Sequence, residues 1–323
     1  MKINNIFAIG CLVQWYEIEI IGEYIESLKQ SLSYIENPEN ILIDFTMTTN
    51  QKLEKISDEI SIIDIEKRFT RLMFDNNINY RVTDELITIA DYRRKFNDEY
   101  CDRADVLVWG ESDSLLPKQI FQILDNLHSS VSVNTPKYVT FFGMCKMWDD
   151  SWKILEHPEF TDKPFYDSPE EFNPDEHWWS LRYTMSIDEM NNFNDKVEEL
   201  DVRVLNEHKF NGCGLVISSE VIKSGINIPK SVFFVHEDTA FMMIMQKVLG
   251  MIPQYVIKNV LLVHNRNHSK KRMYVRGERH NGTMNEKRRS NDWYVKANKM
   301  SEENCYNIYN PNHKSYTWED VWK

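Results

Sequence analysis

The chain has 323 residues, 42% of them hydrophobic and 27% charged, a balance typical of a soluble globular protein. No apolar run reaches the roughly 18 residues of a membrane helix, and the first residues lack the pattern of a signal peptide, so we expect a cytoplasmic protein. The five cysteines are scattered without a C-x-x-C pair, which argues against a disulfide framework and against a structural zinc site.

The charge is unevenly distributed along the chain. The net charge of −12 disfavours nonspecific binding to nucleic acid. Residues 264–299, however, hold eleven Lys or Arg against three acidic residues, a net charge of +8, which leaves about −20 on the remainder. This basic segment is a candidate surface for contact with a phosphate backbone.

The first part of the chain alternates between strand and helix patterns. Short apolar or β-branched stretches predict strands at residues 6–13, 41–48 and 78–81. The spacing of apolar residues predicts a helix over residues 17–35, and a further helix is predicted over residues 84–103. Strands that alternate with helices predict an α/β fold with a largely parallel sheet.

The next predicted strand carries acidic residues at its end. A buried strand over residues 104–109 stops at Gly110, and Pro117 is placed to open a helix that runs to about residue 127. Glu111 and Asp113 follow this strand with spacing i and i+2, so both carboxylates can face one cleft and hold Mg²⁺ or Mn²⁺. The carboxyl end of a strand is where open α/β sheets bind their ligands.

The second half of the chain has a less regular pattern. Strands are predicted over residues 138–144, 210–218 and 256–264, and a helix over residues 239–249 ends at a glycine. An aromatic and acidic stretch, about residues 148–205, shows no clean period and is interpreted as a long insertion over one face.

Two groups of motifs stand in a fixed order along the chain. The first comprises the helix bearing Arg93 and Asn97, the buried strand, Glu111-Ser112-Asp113 and the turn Leu115-Leu116-Pro117. In the second, Asn211-Gly212-Cys213-Gly214 on a strand is followed by His236-Glu237-Asp238 at the start of a helix. This order resembles that of the family-2-like GT-A glycosyltransferases; the resemblance covers about residues 3–268 and is carried by motifs.

The resemblance implies a fold and an activity. The implied fold is GT-A, a single mixed, mostly parallel central sheet flanked by helices, with a Rossmann-like nucleotide-binding half. Residues 1–130 would bind the nucleotide sugar, residues 131–265 would form the acceptor half, and residues 266–323 would be a basic C-terminal segment and tail. The implied reaction is a metal-dependent transfer of a sugar from a nucleotide-sugar donor to an acceptor hydroxyl.

The resemblance also implies a metal site. Asp113, with Glu111, would hold Mn²⁺ or Mg²⁺ on the diphosphate of the donor. A histidine near the end of the last strand, His264 or His268, would complete the set of ligands.

The catalytic residues implied by the resemblance are Asp238 and its neighbour Glu237. Asp238 would be the general base that takes the proton from the acceptor hydroxyl. The alternative is that both carboxylates only stabilise the N-terminus of a helix, where negative charge is favoured.

Candidate donor-binding residues are aromatic side chains after the first strand and charged side chains that can act on the diphosphate. They are Trp15, Tyr16, Arg93, Arg94, Glu111, Arg266, Lys270 and Lys271. The alternatives are that the aromatic residues belong to the core and that the basic residues form a solvated loop.

The acceptor is the most open question. Candidate acceptor-binding residues are Trp178, Trp179, Gly212 and Gly214. The basic segment and an Ile-, Asn- and Lys-rich composition favour a hydroxymethylated pyrimidine in phage DNA as the specific acceptor. A bacterial surface glycan, a non-catalytic sugar-nucleotide-binding protein and a nucleotidyltransferase are the alternatives.

Overall fold

The centre of the molecule is a mixed β-sheet. The computed structural model describes residues 1–54, 61–143, 185–205, 212–265 and 292–323. The strands in these ranges are β1 (Phe7–Gln14), β2 (Ile41–Thr48), β3 (Tyr80–Thr83), β4 (Val106–Trp109), β5 (Ser114–Leu115), β6 (Val139–Gly143), β7 (Val202–Leu205), β8 (Val216–Ser218), β9 (Gln254–Leu261) and β10 (Val263–His264). Eight of these described strands form the main sheet, in the order β3-β2-β1-β4-β8-β6-β9-β7, and β5 pairs with β10.

Helices cover the sheet. In the same ranges they are α1 (Ile21–Ser33), α2 (Ile62–Asp75), α3 (Ile89–Tyr100), α4 (Ile120–Val131), α5 (Ile187–Asn194), α6 (Ser219–Lys223), α7 (Glu237–Leu249), α8 (Asp292–Tyr306) and α9 (Trp318–Trp322). None of the helices in the described part of the chain is both long and apolar enough to cross a membrane.

One half of the sheet is parallel, and its central strands β1 and β4 are buried on both faces. Strand β1 pairs in parallel with β2 and β4, and β2 pairs in parallel with β3. Side chains of β1 alternate between two cores, since Phe7 and Ile9 pack in one cluster while Ala8 and Leu12 pack in the other. A parallel sheet needs this cover on both faces, which explains why β1 reads as a continuous apolar run.

The other half of the sheet contains the antiparallel pairs. Strand β8 runs antiparallel to β4 and to β6, and β7 runs antiparallel to β9, whereas β6 and β9 are parallel. The predicted α/β class, with one mixed and mostly parallel central sheet flanked by helices, is confirmed.

Some predicted boundaries were wrong for identifiable reasons. The helix predicted over residues 84–103 begins only at Ile89, because Thr88 and Asp91 form a capping box that fixes its start. Of the strand predicted over residues 210–218, residues 210–211 lie outside the described ranges, and in the described part only β8 is a strand, because Gly214 takes a positive φ of 68° that no extended strand allows. Helix α2 was not predicted at all.

Two stretches interpreted as irregular contain regular structure. Helix α5 and strand β7 lie inside the stretch interpreted as an aromatic insertion, residues 148–205, and residues 148–184 of that stretch lie outside the described ranges. The predicted tail contains α8 and α9, which pack through Trp293 and Trp318 on Phe233 and Phe234. Aromatic packing of this kind fixes the C-terminal helices against the body of the protein.

Candidate active site

A cleft opens where β1 and β4 end. Its walls include Tyr16 after β1, Glu111 and Asp113 after β4, Glu237 at the start of α7, and Tyr294 from α8. The site therefore lies at the carboxyl ends of parallel strands, as the sequence predicted.

Two sheet ladders bring the acidic residues and a histidine together. Glu111 and Asp113 leave the end of β4, and the antiparallel pairing of β5 with β10 sets Ser114 opposite His264. The Asn265 amide donates a hydrogen bond of 2.7 Å to the Asp113 carbonyl, which extends this pairing. The register of β5 and β10 thus fixes where the His264 ring lies.

The three side chains converge on one point. His264 Nε2 lies 3.1 Å from Glu111 Oε2 and 3.4 Å from Asp113 Oδ1. Asp113 is 6% exposed, so its carboxylate is held inside the protein. Of the two histidines predicted as candidates, His264 is the one that reaches the acids; His268 lies outside the described residues.

The electrostatics of this corner favour positive charge. Burial on its own would raise the pKa of Glu111, but the charges of His264 and Arg93 outweigh it and lower that pKa to about 2. Burial would lower the pKa of His264, and the neighbouring Cys213, Asp113 and Glu111 instead raise it well above its usual value. The carboxylates and the His264 ring therefore stabilise one another's charge.

Arg93 joins the two acidic motifs. Its side chain is 2% exposed and donates to Glu237 Oε1 at 2.5 Å, to Glu111 Oε1 at 2.7 Å and to the Gly212 carbonyl at 2.9 Å. The guanidinium also lies over the Trp109 ring, 4.7 Å from its centroid. The sequence predicted contact with a diphosphate, whereas the structure places Arg93 inside the protein, where it positions both carboxylates.

Arg94 lies outside the cleft. Its guanidinium donates hydrogen bonds to the carbonyls of Ile228, Pro229 and Val232 and pairs with Asp91. Successive residues of a helix point about 100° apart, so Arg93 and Arg94 cannot face the same ligand. The structure gives Arg94 the task of holding the loop before α7.

The two aromatic candidates for donor binding are placed differently. Trp15 is fully buried in the core and packs edge to face on Tyr16, with ring centroids 5.5 Å apart. Tyr16 is also buried, but it forms part of the cleft wall. Contact with a bound nucleotide stays a prediction for Tyr16. Trp15 lies in the core and packs against the Tyr16 ring.

The candidate catalytic carboxylates differ in their surroundings. Glu237 lines the cleft, and burial and the charge of Asp238, only partly opposed by Arg93, raise its pKa to about 7. Asp238 is half-buried; its Oδ2 accepts from the Gly212 amide at 3.1 Å and its Oδ1 from the Thr239 amide at 2.7 Å. These two amides fix the orientation of the Asp238 carboxylate.

The glycines predicted to bind the acceptor have close protein neighbours. A Cβ at Gly212 would lie 2.6 Å from Arg93 Nη1, and one at Gly214 would lie 2.6 Å from Leu262 Cδ1. Both positions therefore need glycine for packing, and their contact with an acceptor stays a prediction. The other candidates, Trp178, Trp179, Arg266, Lys270 and Lys271, lie outside the described residues.

Sequence reasoning missed two residues of this region. Cys213 lies beside Glu111 and His264, and Tyr294 reaches the cleft from α8. The position of Cys213 on the glycine-marked segment was visible in the sequence, but its meaning depends on the pairing of β4 with β8. No local signal marks Tyr294, because the packing of the C-terminal helices brings it to the cleft.

Comparison with known proteins gives distant structural similarity. Neither a protein-family model nor a curated protein matches the chain. The structure of S. aureus TarS 1-349 is similar with a TM-score of 0.44 and 13% identity, over 100% of this chain and 78% of that one. Glucosyl-3-phosphoglycerate synthase from Mycobacterium tuberculosis, in complex with Mg²⁺ and uridine-diphosphate, is similar with a TM-score of 0.43 and 8% identity, over 92% and 79% of the two chains. These distant similarities concern the fold alone.

Proposed function

We propose that the protein is a divalent-metal-dependent glycosyltransferase that uses a nucleotide-sugar donor. The observation that carries the proposal is the convergence of Glu111, Asp113 and His264 at the carboxyl end of β4. The sheet order β3-β2-β1-β4 around this point is the arrangement in which α/β proteins bind nucleotides.

The residues present fit a divalent cation. Two carboxylates offer the hard oxygen atoms that suit Mn²⁺ or Mg²⁺, and one imidazole adds a nitrogen atom of borderline softness. Asp113, Glu111 and His264 would hold the ion, and a bound ion would stabilise negative charge on the departing diphosphate. Arg93 keeps Glu111 in place for this task through its 2.7 Å hydrogen bond.

The carboxylate pair at the start of α7 supplies the base of the proposed reaction. Asp238 accepts the proton of the acceptor hydroxyl. The hydroxyl oxygen bonds to the anomeric carbon of the donor sugar as the bond from that carbon to the diphosphate breaks. The nucleoside diphosphate leaves with the electron pair. The hydrogen bonds from Gly212 and Thr239 support this role by holding the carboxylate in one orientation.

Other predicted residues enter the proposal through the donor. Tyr16 is proposed to contact the nucleotide from the cleft wall. Arg266, Lys270 and Lys271 follow β10 in the chain and are proposed to neutralise the diphosphate, because Arg and Lys stabilise charge that develops on a leaving group.

The test is release of nucleoside diphosphate. The protein is incubated with Mn²⁺ and a panel of nucleotide sugars, and wild type is compared with Asp113→Ala and with Asp64→Ala, a control at an exposed acid on α2. Release by wild type and by the control, lost in Asp113→Ala by at least about a hundredfold, supports the proposal. Release that is equal in all three proteins contradicts it.

The finer proposal concerns the acceptor, a hydroxymethylated pyrimidine in phage DNA. Its support is the +8 net charge of the sequence between residues 264 and 299. Adding hydroxymethylcytosine DNA should raise release, and binding to that DNA should fall steeply with salt. Release that ignores DNA and rises with a neutral glycan would instead identify a saccharide acceptor.

A non-catalytic sugar-nucleotide-binding protein gives a different result. In that case Asp238→Asn leaves donor binding unchanged and there is no turnover to lose. If the protein is an enzyme, Asp238→Asn should keep donor binding and lose turnover, because only the proton transfer is removed.

A further inference from the structure

A buried thiol, that of Cys213, lies beside His264 and beside Glu111, which lines the cleft. We infer that Glu111, Cys213 and His264 form a second ligand set, which selects Zn²⁺ and excludes the hard cation proposed above. One ligand atom of each of these three residues lies within 4.8 Å of the other two. The cluster therefore combines an oxygen, a sulfur and a nitrogen donor at one point.

Pairing between strands places Cys213 in this cluster. Strand β4 pairs antiparallel with β8 so that Val108 lies opposite Val216. The pairing continues past β4, since the Trp109 amide donates to the Leu215 carbonyl at 2.9 Å and the Gly214 amide donates to the Trp109 carbonyl at 3.0 Å. These two bonds make Gly214 and Leu215 share Trp109 as their partner, a bulge that shifts the register by one residue and brings Cys213 opposite Gly110, next to Glu111.

The glycine that follows Cys213 brings the third ligand close. Gly214 has a φ of 68°, and a Cβ at this position would lie 2.6 Å from Leu262 Cδ1. Because no Cβ is present, Leu262 packs directly on the turn, and the chain continues from there into β10 with His264. The strand pairing at Trp109 and the contact of Gly214 with Leu262 thus fix the position of the thiol.

The distances suit zinc after a small contraction. Zn²⁺ binds sulfur at about 2.3 Å and nitrogen or oxygen at about 2.0 to 2.2 Å, so tetrahedral ligand atoms lie roughly 3.3 to 3.8 Å apart. Glu111 Oε2 and His264 Nε2 are 3.1 Å apart, and movement of about an ångström would bring the sulfur into range. Three protein ligands leave one position open for water or a substrate oxygen.

The chemistry of the ligands separates the two sets. A thiolate is a soft ligand that favours Zn²⁺, whereas the carboxylate of Asp113 suits Mg²⁺ and Mn²⁺. The thiol proton passes to solvent as the sulfur to zinc bond forms. Because both sets use Glu111 and His264, one ion excludes the other. The exclusion of Mn²⁺ rests on the proposed function, but the binding of Zn²⁺ does not.

Cobalt gives a direct test with the full chain. Co²⁺ takes zinc sites, and a thiolate ligand produces an intense near-ultraviolet charge-transfer band that carboxylate and imidazole ligands alone do not produce. We expect this band in the wild-type protein and its stoichiometric removal by Zn²⁺. Absence of the band in the folded wild-type protein overturns the inference without the need for any variant.

Three variants assign the sulfur. Cys213→Ser should abolish the band and weaken Zn²⁺ at least about tenfold in competition with a chelator, while Mn²⁺ affinity changes by less than about twofold. Asp113→Ala should weaken Mn²⁺ and keep the band. Cys101→Ser is the control, since this thiol lies near the Asp98 carbonyl at the end of α3, and it should keep both. A band that survives Cys213→Ser and is lost in Cys101→Ser overturns the assignment.

Failure of this inference differs from failure of the proposed function. A protein that shows the cobalt band but releases no nucleoside diphosphate with any donor retains the zinc site and loses the proposed function. A protein that releases nucleoside diphosphate with Mn²⁺ but shows no band keeps the function and loses the zinc site.

Discussion

Arg93 is the residue on which both acidic motifs depend. It is 2% exposed and pairs with Glu111, which comes from the end of β4, and with Glu237, which starts α7. Arg93→Ala would leave the buried Glu237 carboxylate without its cation and Glu111 with His264 as its remaining charged partner, so we expect a loss of about 3 to 5 kcal/mol in the free energy of unfolding. Urea unfolding measures this loss. Arg103→Ala, at a half-exposed arginine, is the control and should change stability by less than about 0.5 kcal/mol.

Glu237 should make stability depend on pH. Its pKa in the folded protein, about 7, lies above the ordinary value of 4.5. The folded state therefore favours the protonated carboxyl, and the contribution of this group to stability is fully present below about pH 4.5 and is lost as the pH rises through about 7, a change of about 3 kcal/mol. Glu237→Gln should remove this part of the slope.

The measurement is urea unfolding at several pH values between 5 and 8 in buffer with a chelator. The difference in unfolding free energy between wild type and Glu237→Gln should change with pH in the stated direction. Glu39→Gln, at an exposed residue, serves as the control and should run parallel to wild type. Parallel curves for Glu237→Gln as well would contradict the assigned pKa.

At the scale of residues, the sequence identifies ligands better than it identifies their supports. Glu111, Asp113 and His264 are ligand types at strand ends, so their chemistry is visible in the sequence. The role of Arg93 is not, because its partner Glu237 lies 144 positions away and only the fold brings the two together. In the sequence, an arginine near an acidic motif is equally consistent with binding a phosphate and with positioning the carboxylates, and only its burial separates the two roles.

At the scale of elements, Gly214 delays the start of β8 to Val216 and shapes the region around Cys213 and His264. Alanine at this position has to take a φ of 68° and to displace Leu262 Cδ1, which would lie 2.6 Å from the new Cβ. We expect Gly214→Ala to cost about 1 to 3 kcal/mol of unfolding free energy and to weaken Mn²⁺ binding. Thermal unfolding and a Mn²⁺ titration check the two effects.

A second glycine provides the matched control. Gly22 lies in α1 and has open space around its missing Cβ. Gly22→Ala should raise stability by about 0.5 to 1 kcal/mol, because alanine loses less backbone entropy in a helix. If both variants shift stability in the same direction, the packing of Gly214 on Leu262 does not control the turn.

Element prediction succeeded where burial alone decides the pattern. Strand β2 has the predicted bounds, 41–48, because its apolar and β-branched residues have no competing period. Helix α2 was missed, although Ile65, Phe69 and Met73 recur every fourth residue on its buried side. The late start of β8 could not be predicted, since the turn at Gly214 packs on Leu262, which is distant in the sequence.

At the scale of the whole molecule, the C-terminal helices complete the cleft. Trp318 of α9 packs on Phe233 and Phe234 with ring centroids 5.1 and 5.5 Å away, and Phe234 packs on Tyr294 of α8 at 5.3 Å. Phe234 and Tyr294 both line the cleft. The packing of α9 therefore supports a wall of the site, although the sequence shows this region only as a tail.

Trp318→Ala should loosen that wall without changing the residues proposed to bind the metal. We expect a loss of about 1 to 3 kcal/mol in stability, since the side chain is only partly buried, together with weaker donor binding and unchanged Mn²⁺ affinity. Trp322→Ala is the matched control, because this tryptophan is 42% exposed and stacks on the outer side of the cluster, and it should have the smaller effect on donor binding. Calorimetric titration of the Mn²⁺-loaded protein with a nucleoside diphosphate measures donor binding. Equal donor affinity in wild type and Trp318→Ala would show that α8 keeps its place without α9, and that the cleft wall is fixed by the contacts of α8 alone.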